Sequence, residues 1–192
     1  MAKGKGGSSK SAIHVALLRG VNVGGKNRLP MAELSAMFER AGCTDVRTYI
    51  QSGNVVFGAS ERVAAQVGAQ VSAALAKQLG LRVPLVLRSA EELRAVAANN
   101  PFLRELHERE ELKRLHVAFL KRVPTASARA ALDPERSPPD RFFARGRELY
   151  LCCPNVMART KLTNDYLDRT LGSVSTVRNW NTVLALCELA GA

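Results

Sequence analysis

Apolar residues along the chain follow two spacings, one typical of β-strands and one typical of α-helices. Residues 13–19 form a short run rich in large and β-branched apolar side chains, which predicts a buried strand. Residues 63–79 instead carry an apolar side chain at every fourth position, which predicts a long helix ending at Gly80. The same reasoning predicts strands at 46–51, 55–57 and 84–88, a helix at 30–41 and a capped helix beginning at Ser89.

The same order of elements returns after the charged stretch 104–114. Strands are predicted at 115–121, 141–145, 148–152 and 174–178, a short helix begins at Pro124-Thr125, and a later helix carries Leu162 and Leu167. Asn179 is predicted to cap the last helix. Two pairs of segments also match in letters and in order, which indicates an internal duplication. They are residues 13–19 with 115–121, and residues 86–89 with 176–179.

Strands and helices in the order β-α-β-β-α-β are typical of the ferredoxin-like fold. We therefore expect an α+β protein of two tandem ferredoxin-like (βαββαβ) halves, each followed by an extra helix. The expected organisation is a flexible basic tail (1–12), a first half (13–98), a linker (99–114) and a second half (115–192).

A glycine-rich, cationic loop between the first strand and the first helix is the best candidate site. In the ferredoxin-like order the first two strands are parallel with the third between them, so loop 20–29 and turn 52–54 are expected at one end of the sheet. Backbone N–H groups and cationic side chains converging there suit an anion. The predicted ligand-binding residues are Arg19, Asn22, Gly24, Gly25, Lys26, Asn27, Gln51, Ser52 and Asn54.

A purely structural interpretation of this loop is equally open. Gly24-Gly25 can simply form a tight turn, and the asparagines can satisfy backbone groups. Neither a Walker A loop nor a dinucleotide-binding fingerprint is present in this segment.

A secondary group of candidates lies near the second copy of the pattern. The single tryptophan, Trp180, lies among the hydrogen-bonding side chains of Arg178, Asn179 and Asn181. It could stack on a ring of a ligand or anchor the last helix. Lys161 is a further candidate cation. His14 and His116 occupy matching positions in the two copies, which favours packing or satisfied hydrogen bonds over catalysis.

The charge of the chain directs attention to anionic partners. The net charge is +11 and the isoelectric point is about 10.1, which favours nucleic acid as a partner, although a well-solvated surface gives the same balance. The four cysteines contain no C-x-x-C pair, and we expect no metal and no cofactor. Because no apolar run approaches the roughly 20 residues of a spanning helix, and the start of the chain lacks the apolar stretch of a secretory signal, we expect a cytoplasmic protein without a membrane partner.

Several motifs closely resemble the bacterial family catalogued as domain of unknown function 1697, over nearly everything from Ile13 to Ala190. The motifs are Leu17-Leu-Arg-Gly-Val-Asn-Val-Gly-Gly-Lys-Asn-Arg-Leu-Pro-Met-Ala-Glu-Leu34, Arg47-Thr-Tyr-Ile-Gln-Ser-Gly-Asn-Val-Val-Phe57, Asn100-Pro-Phe102, Leu115-His-Val-Ala-Phe-Leu120, Gly146-Arg-Glu-Leu-Tyr-Leu151 and Arg178-Asn-Trp-Asn-Thr-Val183. The resemblance implies an α+β fold with two ferredoxin-like halves. It implies no activity and no catalytic residues.

The chain departs from the family in one loop. Relatives commonly carry Pro-Asn-Gly-x-Gly-x-Ser-Lys-Leu there, whereas this chain has Val156 and Ala158 in place of the glycines. Thr160 and Lys161 keep the hydroxyl and the lysine of the pattern. A family function that depends on those glycines is therefore in doubt for this protein.

The sequence favours a binding protein for an anionic ligand, either nucleic acid or a phosphorylated metabolite, acting through the glycine-rich loop. Two alternatives stay open. One is a metal-independent enzyme acting on a small phosphorylated or amide-bearing substrate, and the other is a structural or partner-binding protein. The oligomeric state does not follow from the sequence.

Overall fold

The computed structural model describes residues 11–192, and it shows a mixed α+β fold with two four-stranded antiparallel sheets. The predicted basic tail lies almost entirely outside the described residues. In both sheets every neighbouring pair of strands is antiparallel. Within residues 11–192, no helix is both long and apolar enough to cross a membrane.

The first sheet has the strand order β2-β3-β1-β4. Its strands are β1 (Ala12–Leu18), β2 (Thr44–Tyr49), β3 (Asn54–Ala59) and β4 (Leu85–Ser89). Three helices accompany them: α1 (Met31–Arg40), α2 (Glu61–Leu79) and α3 (Ala90–Ala98). The predicted elements are all present, with bounds that differ by at most two residues.

The second sheet repeats this arrangement with the order β6-β7-β5-β8. Its strands are β5 (Leu115–Leu120), β6 (Arg141–Arg145), β7 (Glu148–Cys152) and β8 (Ser175–Asn179), and its helices are α4 (Ala126–Ala130), α5 (Asn164–Leu171) and α6 (Trp180–Leu189). β5 lies between β7 and β8 in the same way that β1 lies between β3 and β4.

Side chains at the helix ends explain where several helices begin and stop. Ser89 accepts from the backbone N–H of Glu92, whose carboxylate accepts from the N–H of Ser89, so the predicted capping box is formed. Asn179 caps α6 by accepting from the N–H of Thr182, as predicted. Gly80 ends α2 in the left-handed conformation that glycine adopts at low cost.

One apolar core joins the two sheets, and two further cores lie on their outer faces. Successive residues of a strand point to opposite faces, so Val15 and Leu17 enter the shared core while Ala16 and Leu18 pack toward α1 and α2. α3 and α6 contact each other in the shared core, which also receives residues of β5 and β7. Both faces of the central strands β1 and β5 are therefore covered by apolar cores.

The segment between the two sheets packs on the fold. It contains two 3₁₀ helices, Pro101–Glu105 and Arg109–Arg114. Phe102 is buried in the shared core, and Arg141 on β6 forms an ion pair with Glu105. The segment thus contributes to the contact between the sheets as well as connecting them.

Candidate functional site

Loop 20–29 and turn 50–54 lie together at the end of β1, and we call this pair of segments the loop corner. The backbone N–H of Leu18 donates to the carbonyl oxygen of Gly53 (2.9 Å), and Asn22 Nδ2 donates to the carbonyl oxygen of Gln51 (3.0 Å). The strand order produces this contact, because β3 brings its own beginning alongside the end of β1. The prediction that loop 20–29 and turn 52–54 lie at the same end of the sheet is confirmed.

Gly24 and Gly25 form the exposed tip of the loop corner. Both have positive φ angles, +57° and +74°, and the N–H of Lys26 donates to the carbonyl oxygen of Val23 (3.0 Å). Two consecutive left-handed residues closing such a bond form a tight hairpin turn, which glycine suits best. The turn leaves the side chain of Lys26 exposed to solvent.

The asparagines of the loop satisfy backbone groups, as in the structural interpretation of the sequence. Asn22 Oδ1 accepts from the N–H of Leu29 and its Nδ2 donates to the carbonyl oxygen of the same residue. Asn27 Nδ2 donates to the carbonyl oxygen of Gly20 (2.8 Å). The amide of Asn22 is fully used in holding the loop in shape. Asn27 is exposed and makes one such bond through Nδ2, so its Oδ1 is still able to accept from a ligand.

Arg19 is paired within the protein. Its Nη1 donates to the carboxylate of Asp168 on α5 (2.7 Å) and to the carbonyl oxygen of Ser175 (3.0 Å). The positive charge predicted for the site is therefore balanced by an acid of the second sheet's helices.

Asn54 is fully buried, so its side chain lies beneath the corner and out of reach of a ligand at the surface. Its Nδ2 donates to Ser52 Oγ (2.8 Å) and to the carbonyl oxygen of Tyr49 (3.2 Å). Its Oδ1 accepts from Arg178 Nε at 2.6 Å. The sequence prediction placed Asn54 in contact with a ligand, whereas the structure uses it to receive an arginine from the other sheet.

Arg178 reaches from β8 into the base of the loop corner. The residue is 9% exposed, and burial lowers its pKa to about 10. None of its hydrogen-bond partners is a carboxylate. Its five N–H groups donate to oxygen atoms of Leu18, Ser52, Asn54, Thr176 and Val177. A guanidinium keeps its charge at neutral pH. Below the loop therefore lies a buried cation that has no ion-pair partner among residues 11–192.

The equivalent arginine of the first sheet is neutralised. Arg88 on β4 reaches the end of β5 and donates through Nε to the carboxylate of Glu148 (2.8 Å). Its Nη2 donates to the carbonyl oxygen of Leu120, as Arg178 Nη2 does to that of Leu18. The two arginines thus make a reciprocal pair of contacts between the sheets. Asn54 of the first sheet occupies the position that Glu148 occupies in the second sheet.

The secondary candidates divide between the core and the surface. Trp180 is 1% exposed and packs in the shared core, where it anchors α6 and cannot stack on a ligand. Asn179 is occupied by capping α6. Asn181 and Lys161 are exposed, while the backbone N–H of Lys161 donates to Ser137 Oγ (2.9 Å). Among the secondary candidates, Arg178 and Trp180 are therefore buried, whereas Lys161, Asn179 and Asn181 reach the surface.

The groups of the loop corner that face solvent are fewer than the sequence suggested. Lys26, Asn27, Gln51 and the two tip glycines are exposed. Arg28 is exposed too, and the sequence reasoning overlooked it although it lies in the same loop. None of the ion pairs among residues 11–192 includes Lys26 or Arg28. Val23 and Ile50 add apolar surface beside them, being 63% and 54% exposed.

Two further features bear on chemistry, namely the grouping of metal-ligating side chains and the pKa values of the cysteines. Within residues 11–192, no three His, Cys, Asp or Glu side chains are grouped so that they could hold a metal ion. The four cysteines are free and buried, and burial raises the pKa of Cys43 to about 11 and that of Cys153 to about 12. Thiols with such pKa values are poor nucleophiles near neutral pH.

The family model described as "Protein of unknown function (DUF1697)" matches residues 12–150. The chain belongs to this family. The match includes the whole loop corner and ends before the loop 154–162 and before Arg178. Membership in DUF1697 confirms the resemblance seen in the motifs and assigns no activity.

Among solved structures, the chain is similar to a conserved bacterial protein from Streptococcus pneumoniae. The two share 19% sequence identity with a TM-score of 0.65, and the comparison covers 95% of this chain and 100% of the other. At this identity the similarity shows the fold alone. No curated protein matches the chain.

Proposed function

We propose that this DUF1697 protein binds an anionic ligand at the loop corner, through Lys26, Arg28, Gln51 and the backbone N–H groups of Gly24 and Gly25. The observation that carries the proposal is the uncompensated charge of Arg178 beneath the corner. Its Nη2 donates to the carbonyl oxygen of Ser52. Ser52 directly follows the exposed Gln51 in the chain, so the guanidinium lies close to the exposed part of the corner.

A buried cation acts on a surface anion more strongly than an exposed one, because less water lies between them. For charges about 8 Å apart the attraction is about 0.5 kcal/mol in water and about 2 kcal/mol at an effective dielectric constant of about 20. Lys26 and Arg28 add to this attraction from the solvent side. Arg19 adds little, since Asp168 neutralises it.

Nucleic acid is the first ligand to test, because its phosphates match both the local charge and the +11 charge of the whole chain. Fluorescence anisotropy with labelled single-stranded RNA and DNA over a salt series measures this binding. We expect affinity to fall linearly on a log–log scale as salt rises, since neutralised phosphates release counterions. Absence of binding at about 50 mM salt would rule out nucleic acid as the ligand.

Single substitutions locate the binding surface. Lys26→Ala and Arg28→Ala are each expected to weaken binding, and both side chains are exposed, so the fold should be unaffected. Arg62→Ala is the matched control, because Arg62 is an exposed arginine in the first turn of α2, which follows the end of β3 farthest from the loop corner. Equal effects of Arg62→Ala and Arg28→Ala would show that overall charge, rather than this corner, attracts the ligand.

We also infer that each sheet with its first two helices is a ferredoxin-like unit and that the two units arose by duplication. The inference is supported by the element order β-α-β-β-α-β, by the identical strand orders of the two sheets and by the matched arginines Arg88 and Arg178. A backbone superposition of residues 12–98 on residues 115–189 tests it. Equivalent strands and helices should align in sequence order.

A further inference from the structure

A cationic cleft of about 510 Å³ lies near the beginning of β5, on the second sheet. Its walls carry four basic side chains, those of Lys113, Arg114, His116 and Arg159. No acidic residue lines it. The volume falls in the range of small-molecule sites, and the charge restricts the ligand to an anion.

The cleft exists because one connection is longer in the second sheet than in the first. Only Ser60 separates β3 from α2, whereas residues 153–163 separate β7 from α5. Part of this long connection, including Pro154, Val156 and Met157, forms one wall of the cleft. The loop is the same one that departs from the family pattern at Val156 and Ala158, and both of those side chains are exposed.

His116 presents a polar atom to the cleft from an otherwise buried position. The residue is only 8% exposed, and Nδ1 lies 3.3 Å from the carbonyl oxygen of Arg114. Because a carbonyl oxygen can only accept, we assign the proton of the neutral ring to Nδ1. Nε2 has no hydrogen-bond partner among the described residues and is not among their fully enclosed unpaired atoms, so it keeps accessible surface in the cleft.

The charges around His116 leave the cleft positive. Arg114 is paired with Glu111, while Lys113 and Arg159 have no ion-pair partner among residues 11–192. Burial has the largest effect on the pKa of His116 and lowers it, so the ring is neutral at pH 7 when the cleft is empty. The hydrogen bond to the carbonyl oxygen of Arg114 and the charge of Asp140, which accepts from Ser137 Oγ, raise the pKa by less.

We propose that this cleft is a second anion site, which binds the phosphate group of a small metabolite between Lys113, Arg159 and Nε2 of His116. It is separate from the loop corner and does not depend on the function proposed there. Neutral Nε2 only accepts a hydrogen bond, so it donates to the ligand after the ring gains a proton. Binding of a dianion and protonation of His116 therefore favour each other, so affinity for a dianion that does not itself titrate, such as sulfate, rises as the pH falls through the range in which the ring gains its proton.

The three histidines of the chain make a direct test by NMR. The pKa of each imidazole is measured in sodium sulfate and in sodium chloride at equal ionic strength, with sulfate as the probe for a phosphate dianion. We expect sulfate to raise the pKa of His116 by about 0.5 or more, as a bound opposite charge does. His14 occupies the matching position on β1, and its ring is stacked on that of Phe57 with the ring centroids 5.7 Å apart. It therefore serves as the internal control, and its pKa should be the same in both salts.

Substitutions then assign the effect to the cleft. Arg159→Ala should abolish the sulfate-induced rise, whereas Arg169→Ala removes an exposed arginine of α5 that does not line the cleft and should leave it intact. Lys26→Ala should also leave it intact, which separates this site from the loop corner. Equal pKa values of His116 in the two salts, or a rise that persists in Arg159→Ala, would overturn the proposal.

Discussion

The two arginines that cross between the sheets have the same geometry and different electrostatics. Arg88 enters the second sheet and meets the carboxylate of Glu148, whereas Arg178 enters the first sheet and meets the amide of Asn54. Both also donate to the last carbonyl oxygen of a central strand, at Leu120 and Leu18 respectively.

Under the proposed function, Arg88 has a structural role alone, whereas Arg178 also attracts the ligand. A carboxylate would neutralise Arg178 at lower electrostatic cost, as Glu148 does for Arg88, yet the first sheet has an amide there. The same corner carries the glycine-rich loop with exposed Lys26 and Arg28, while β5 is followed by no such loop. We infer that the reciprocal contacts hold the sheets together and that the missing acid leaves charge available for a ligand.

Removal of either arginine should have the largest effect on stability. Arg88→Met and Arg178→Met are each expected to lower the free energy of unfolding by about 3–5 kcal/mol, because buried oxygen atoms lose their donors. Urea unfolding measures the change, with Arg169→Met as a surface control. Losses below about 1 kcal/mol would show that the contacts do not join the sheets.

A substitution at Gly53 should break the loop corner without touching any charge. A Cβ atom there would lie 2.6 Å from Val21 Cγ2 and 2.8 Å from Leu18 Cβ, and the φ angle is +72°. We expect Gly53→Ala to cost about 2–4 kcal/mol in urea unfolding. Gly24→Ala has the same kind of φ angle with no atom within 4 Å, so it should cost only about 1 kcal/mol. Similar costs for the two would contradict the close packing of the turns.

A smaller effect distinguishes the histidines of the two central strands. Burial lowers the pKa of both His14 and His116, so below pH 6.5 the unfolded chain binds more protons than the folded one. Stability should therefore fall as the pH decreases from about 7 to 5. His116 is the more buried of the two, so His116→Gln should flatten this slope more than His14→Gln, as measured by urea unfolding at several pH values. The opposite order would contradict the account.

The elements and the meeting of the two turns followed from sequence because they depend on local patterns. An apolar side chain at every fourth position predicted α2, and the Ser89–Glu92 spacing predicted the start of α3. The order of elements predicted that loop 20–29 lies beside turn 52–54. These inferences need only propensities, capping and the pairing rules of strands.

The roles of individual polar residues did not follow, because they depend on contacts between the sheets. Nothing local shows that Asp168 neutralises Arg19 or that Asn54 receives Arg178, since these pairs are more than 120 positions apart. The alignment of residues 86–89 with 176–179 did contain a signal, because it paired Arg88 with Arg178. From that pairing one could have inferred that both arginines are buried at equivalent positions of two strands.

Exchange of the two acceptors tests the central claim most directly. Asn54→Asp supplies Arg178 with the acid that Arg88 already has, and Glu148→Gln is the reverse change at the other contact. With anisotropy of labelled RNA and folding checked by urea unfolding, we expect Asn54→Asp to weaken binding by about 2- to 30-fold, the equivalent of about 0.5–2 kcal/mol, and Glu148→Gln to leave it unchanged. Unchanged binding by folded Asn54→Asp would contradict the claim that the buried charge of Arg178 attracts the ligand.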